Sequence, residues 1–255
     1  MGCKSLQLAC LALFALFHVN AVAKEIRLAV GLALPPYYLA QTESGLELEI
    51  IAAALAVKGH SLTPVFVPFA RVIPSLATGL ADAAAPTNED SKYQNGFYSE
   101  SHISYKNVAV SMVNKGIEIK DLSQLADYSI VAFQNASQYL PAQYQQAVAN
   151  NMRYSEKSRQ DLQINMLSAG RAEVIVLDLN IFKYYAKEQN VDTSAMKIHR
   201  LFDRVDYKVL FNEAQLRDDF NLGLTEIRNN GLYQQILDRY LLSATIEPDS
   251  ASQAN

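Results

Sequence analysis

Apolar and polar positions change period along the chain in a regular order. "EIRLAVG" (25–31) alternates like a strand, and "LELEIIAAALAVKG" carries apolar residues at helical spacing with Gly59 as its stop. "SLTPVFV" predicts the next strand, "ARVIPSLATG" the next helix and "ADAAA" a buried strand. The succession β-α-β-α-β implies a parallel sheet covered by helices.

The same order returns after a middle segment. "YSIVAF" (128–133) predicts a strand, "QNAS" a turn, "QYLPAQYQQAVAN" a helix with an early proline, "SRQDLQINMLSAG" another helix and "AEVIVLD" a buried strand. The echo reaches single letters: "LATGLAD" (76–82) and "LSAGRAE" (167–173) share L-x-x-G-x-A-acid. In each, glycine ends a helix in the left-handed conformation and the next residues enter a strand. "SYKNVAVSMVNKG" and "VDYKVLFN" are extended runs that bracket the second unit. Two related lobes joined by two strands are therefore expected, with a cleft between them and a hinge. Lobe 1 spans 24–105 and 206–242, lobe 2 spans 106–205, and the polar tail 243–255 is expected to be flexible.

The first residues change the compartment. "MGCKSLQLACLALFALFHVNAVA" (1–23) has the layout of a secretory leader: Lys4, an apolar run, then Ala21-Val22-Ala23, with cleavage before Lys24. Its apolar core falls short of the roughly 20 residues that span a bilayer. A lipoprotein site at Cys10 is the alternative, but Gln7 stands where an aliphatic residue is wanted. Both cysteines, Cys3 and Cys10, lie in this leader, so the exported product carries no disulfide and no thiolate metal site. Removing Lys4 from the 22 basic residues leaves 21 against 26 acidic ones, a net charge of −5. That balance argues against a nucleic-acid partner. His60, His102 and His199 are scattered without H-E-x-x-H spacing, and no G-x-S-x-G, P-loop or G-x-G-x-x-G occurs. No metal, no cofactor and no catalytic residue is expected on these grounds.

In order along the chain, "LPPYYL…SGLELEIIAAALA", "VIPSLATGLADAAA", "FYSESHISYKNVAV", "DLSQLADYSIVAFQNAS", "LSAGRAEVIVLD" and "NNGLYQQILDRYL" resemble the family 3 periplasmic solute-binding proteins. The resemblance implies an α/β fold of two Rossmann-like lobes joined by a two-strand hinge, the type II periplasmic-binding-protein architecture. It implies a monomeric periplasmic receptor that captures a small polar solute, an amino acid or related compound, for the permease of an ABC importer. A sensory accessory protein for a membrane receptor, and a dehydratase-like enzyme using Glu43, Glu89 or Asp178, are the rival readings.

Candidate ligand residues follow from position. Tyr37 and Tyr38 leave the carboxyl end of the first strand, where open parallel sheets bind ligands, and either ring is expected to line the cleft or to pack on its own lobe. In the receptors this chain resembles, an arginine shortly after a threonine grips the ligand's α-carboxylate. Here "APTNEDSKYQNGFYSES" supplies Thr87 but no arginine. Lys92 or Arg71 is left as the substitute, as a point charge or a guanidinium fork respectively, and the alternative for Arg71 is a solvated helix position. "QNAS" opens a helix whose free amides favour a carboxylate, with Asn135 or Ser137 as further donors or as caps. Asp178 ends a central strand; the resemblance implies that it pairs with a ligand amino group, and capping the following helix is the alternative. Glu49 is read as structural, since an acid in a first helical turn is stabilising by itself.

Overall fold

The computed structural model describes residues 23–91 and 93–241. The leader to Val22 with its Cys10 alternative, the candidate Lys92 and the chain after Leu241 lie outside the described residues.

The first unit runs β1 (Glu25–Gly31), a short hairpin of β2 (Ala33–Leu34) and β3 (Tyr38–Leu39), α1 (Leu46–Ala56), β4 (Ser61–Val67), α2 (Pro74–Ala77) and β5 (Ala83–Thr87). After β6 (Phe97–Tyr98), the long β7 (Ile103–Met112) leads into the second unit. That unit is β8 (Ile130–Phe133), α3 (Ala136–Tyr139), α4 (Ala142–Val148), β9 (Tyr154–Lys157), α5 (Asp161–Ser168), β10 (Val174–Asp178) and α6 (Leu179–Glu188). β11 (Met196–His199), the returning β12 (Arg204–Phe211), α7 (Ala214–Asn229) and α8 (Leu232–Leu241) complete the chain.

The two units are built alike. β1 lies between β4 and β5, all parallel, and β8 lies between β9 and β10, again all parallel. Antiparallel pairing of β12 with β7, Arg204 opposite Lys106 through Tyr207 opposite Ile103, joins the two into one ten-stranded sheet. Strand residues alternate between faces as a period of two requires. Ile26, Leu28 and Val30 enter one apolar cluster with α1 and α7, and Ala29 enters another with Val67 and Leu76.

The shared L-x-x-G-x-A-acid text has a shared structure. Gly79 and Gly170 have φ of 70° and 66°, and the residue after each glycine donates its amide five residues back, Leu80 to Ser75 and Arg171 to Met166. This is the Schellman closure of a helix, for which glycine carries no Cβ penalty. The acid then fixes the start of the neighbouring strand. Asp82 Oδ2 accepts from the Arg27 amide at 3.1 Å, and Glu173 Oε2 accepts from the Ser129 amide at 2.7 Å.

Two expected helices are shorter than their patterns. "ARVIPSLATG" forms a 3₁₀ turn at Phe69–Arg71 and then α2, because Pro74 has no amide to continue a helix and instead opens one. "QYLPAQYQQAVAN" divides into α3 and α4, because the residue before a proline is pushed out of helical space; Leu140 is extended at ψ 161°.

Candidate ligand cleft

The tyrosine loop is held by the helix it precedes. The first amides of α1, which have no partner within the helix, donate to the loop: Leu46 to the Pro36 carbonyl at 2.9 Å and Glu47 to that of Tyr37 at 3.2 Å. Gly45 permits this approach, since a Cβ there would lie 2.2 Å from the Tyr37 carbonyl oxygen. The Tyr37 side chain is thereby carried to the second unit. Its Oη donates to Asp178 Oδ1 at 2.9 Å and accepts from Asn180 Nδ2 at 3.0 Å.

Asp178 receives three further bonds, from the amides of Lys106 at 2.9 Å, Asn180 at 2.8 Å and Ile181 at 3.1 Å. It therefore caps α6 and ties that helix both to β7 and to the tyrosine loop. Burial pushes its carboxyl above the usual range despite these donors. Burial, followed by the charge of Asp178, drives the Tyr37 phenol well above its ordinary value.

A buried polar cluster adjoins this tie. The Tyr37 ring stacks on Tyr105 with centroids 4.0 Å apart, and Tyr105 Oη donates to Glu47 Oε2 at 2.5 Å. The other Glu47 oxygen lies 2.7 Å from His102 Nε2, and neither Glu47 nor His102 has solvent exposure. Tyr38 is equally buried; its hydroxyl and His102 Nδ1 have no hydrogen-bond partner among the described residues. Burial, then the charge of Glu47, raises the Tyr38 phenol well above its usual value.

The remaining candidates are spread over both units. Thr87 is buried and its Oγ1 donates to the Lys208 carbonyl at 2.8 Å. Arg71 is exposed, and its guanidinium forms no ion pair with a described side chain. Glu89, a carboxylate of the enzyme reading, pairs with Lys208 at 2.5 Å, and Glu43 is exposed. At "QNAS" the amides of Asn135 and Ser137 point at a carboxylate, but the carboxylate is Glu156 of β9, at 2.6 and 2.9 Å. Tyr154 Oη donates to the same group at 2.6 Å. Burial alone would raise the Glu156 carboxyl; the donors from Tyr154, Ser137 and Asn135 outweigh it and hold the group below its usual range.

Two contacts show which surfaces face each other. Tyr37 follows the carboxyl end of β1 and meets Asp178 at the carboxyl end of β10. Phe69 follows the carboxyl end of β4 and meets Tyr139 of α3, beyond β8, edge-on with ring centroids 6.2 Å apart. Both rings of the second pair are exposed, Phe69 by 50% and Tyr139 by 59%. Sequence reading missed Phe69, Tyr139, Glu47, Tyr105, His102 and Glu156. Phe69 had a usable signal, an aromatic ring just past a predicted strand end; Glu47 had none, since it reads as a solvated charge in an early helical turn.

Facing carboxyl-end walls on a sheet bridged by two strands define a bilobed ligand-binding fold of the periplasmic type. A family model for the bacterial extracellular solute-binding proteins, family 3, matches residues 26–243, and the chain belongs to that family. An ancestral arginine-binding protein bound to arginine is similar in structure, with a TM-score of 0.68 at 19% identity, covering 85% of this chain and 98% of that one. A substrate-binding protein of an ABC uptake transporter from Streptococcus pneumoniae with bound histidine matches with a TM-score of 0.67 at 14% identity, over 85% and 92% of the two chains. A histidine kinase sensor domain similar to periplasmic binding proteins matches with a TM-score of 0.70 at 15% identity, over 85% and 96%. The fold is thus that of the type II periplasmic binding proteins. No curated protein matches the sequence. Among the described residues no helix is long and apolar enough to cross a membrane, and no cluster of metal-ligating side chains occurs.

Proposed function

We propose that this chain is a monomeric periplasmic receptor that closes its two lobes around a small polar solute and presents it to a membrane partner. Lobe 1 is 24–105 with 206–242 and lobe 2 is 106–205, and the crossing of β7 and β12 is the hinge. The observation that carries the reading is the pair of contacts, Tyr37 with Asp178 and Phe69 with Tyr139, that set the carboxyl ends of two equivalent units face to face. A cleft there excludes water and lets a few groups select the ligand.

The leader-like text of 1–23 supports the compartment, and the net negative charge of the chain disfavours a nucleic-acid partner. Delivery to the permease of an ABC importer is supported by the uptake-transporter neighbour; loading of a sensor is supported equally by the histidine kinase neighbour. The dehydratase-like reading has less support, because Asp178 already accepts four hydrogen bonds and Glu89 is paired with Lys208.

The test is the melting temperature of the exported chain, unfolded and refolded to strip bound solute, against a broad library of amino acids, polyamines, organic acids and small aromatic acids. A ligand specific to the folded form stabilises it by about 2.7 kcal/mol at a hundredfold excess over its Kd. A shift with some member supports the receptor; silence across the library overturns it.

A further inference from the structure

We propose that the cleft is built against the head group of a free α-amino acid and for a small aromatic carboxylate. The inference rests on the receptor reading above and concerns only which chemistry the cleft accepts.

A free α-amino acid brings an ammonium and a carboxylate, and each is costly to close away from water without a partner. The acceptor at the carboxyl end of β10 is already engaged by the protein's own donors: Oδ1 takes three of them and Oδ2 one. Asp178 is 4% exposed, and its oxygens accept from the Tyr37 hydroxyl and three backbone amides. Burial behind Tyr37 and these amides leaves the carboxylate little surface to offer an incoming ammonium.

The donors of the opposite wall are taken as well. The amides of Asn135 and Ser137 bind the Glu156 carboxylate, which Tyr154 also holds. That carboxylate is attached to the chain, so it competes with any free one as an intramolecular group at high effective concentration. Its charge also repels a second anion beside it.

What the facing ends leave open is of another kind. Phe69 and Tyr139 meet across the two units with half or more of each residue exposed, and Leu32, just past β1, is 51% exposed. Phe69 lies over Gly31, where a Cβ would come within 3.5 Å of its ring, so Phe69 and the end of β1 form one surface. Two residues from Phe69, in the same 3₁₀ turn, stands Arg71, exposed and without an ion pair to a described side chain. Exposed rings offer faces and edges to a flat apolar body, and a guanidinium fork offers two parallel donors to a carboxylate. A small aromatic acid satisfies both and carries no ammonium that would need Asp178.

The experiment is a comparison of melting temperature for the protein expressed with its own leader, stripped and refolded, with phenylacetate, L-phenylalanine, phenethylamine and L-glutamine at equal concentration. The expected result is a shift with phenylacetate and none with L-phenylalanine, which has the same ring plus an α-ammonium. Phe69→Ala and Arg71→Gln, both at exposed positions, are expected to fold, with Phe69→Ala lowering the ligand-free melting temperature only slightly through loss of its contact with Tyr139, and to weaken phenylacetate by about tenfold or more each. A shift with L-phenylalanine or L-glutamine as large as that with phenylacetate overturns the inference and leaves the receptor standing. A shift with phenethylamine alone, or none with these four while another library compound gives one, also overturns it while keeping the receptor. Silence with every compound overturns both.

Discussion

The hydroxyl of Tyr37 and the carboxylate of Asp178, 141 positions apart in sequence, meet at 2.9 Å with both groups buried. One comes from the loop after β1, the other from the end of β10, so the bond joins the two units at the side of the cleft nearest the strand crossing. The Lys106 amide on β7 binds the same carboxylate, which ties strand, loop and helix at one point.

Tyr37→Phe keeps the ring stack on Tyr105 and removes the bond to Asp178. The expected loss of stability is about 1 to 3 kcal/mol at neutral pH, because a buried acceptor loses its side-chain donor. The sign of its pH dependence follows from Asp178. Burial raises the folded pKa, so this group's contribution to stability is greatest below the unfolded pKa of about 3.9 and falls as pH rises through the folded value. A donated hydrogen bond favours the ionised form, so the deficit of Tyr37→Phe should widen over that same rise. Urea unfolding of both proteins at several pH values measures it; a deficit independent of pH would count against an ionised Asp178 at neutral pH.

Glu156→Gln should act with the opposite pH profile to Asp178 itself. The folded pKa of Glu156 is lowered, so its contribution is full above the unfolded value of about 4.3 and is lost as pH falls through the folded value. Glu156 is partly exposed, which limits the expected cost to about 1 kcal/mol at pH 7. Hydrogen exchange of the Asn135 and Ser137 amides reads the loss directly: they bind different oxygens of Glu156 and glutamine keeps only one acceptor oxygen, so at least one amide should exchange faster in the variant, and unchanged protection of both would mean that the carboxylate is not their acceptor.

The duplicated architecture was legible because it rests on local signals. β1 and β4 have the spans that their alternation and turn residues predict, and Gly79 and Gly170 do take the left-handed conformation of the shared motif. The chemistry at the facing ends was less legible, because it depends on which groups of the chain satisfy each other. Text such as "QNAS" announces free amides, and only the placement of β9 beside β8 brings Glu156 to fill them. Likewise Glu47 and Glu49 stand two residues apart in one helix turn. Glu49 binds Arg239 and Tyr240 near the surface, while Glu47 is sealed against His102 and Tyr105. Alternation "LELE" carries no hint of that difference, which comes from α8 covering one side and β7 the other.

Asp82→Asn tests the repeat acid. Arg27 bonds to Asp82 through side chain and backbone and holds its carboxyl below the usual range, outweighing partial burial. Its contribution is therefore present above the unfolded pKa of about 3.9 and lost as pH falls through the folded value. With the Arg27 side chain half in solvent, the expected cost of Asp82→Asn is about 1 kcal/mol at pH 7 and less at pH 2. Equal costs at both pH values would show that neutral hydrogen bonding, not the ion pair, does the stabilising.

Gly223→Ala tests the approach of α7 to α1. A Cβ at 223 would lie 1.9 Å from the Ala54 carbonyl oxygen, a backbone atom that cannot swing aside. The two helices must separate, so overpacking of about 3 kcal/mol is expected rather than the small gain that alanine brings to an open helix position. Thermal unfolding decides it, and a stability equal to that of the parent would mean that the helices lie farther apart than described.

The exposed pair Phe69 and Tyr139 offers the sharpest reading of how the two walls sit in solution. Edge-to-face rings add about 0.5 to 1.5 kcal/mol beyond the area they bury, a coupling that a double-mutant cycle isolates. Phe69→Ala, Tyr139→Ala and the double variant should each fold, since both rings are exposed by half or more and neither belongs to an apolar cluster. A coupling near the lower end of that range is expected, because solvent reaches both rings. If the single effects instead add, the rings do not touch in the ligand-free protein and the walls stand open at this end. A cycle repeated with saturating ligand would then show whether closure brings the rings together, since coupling would appear only in the closed form.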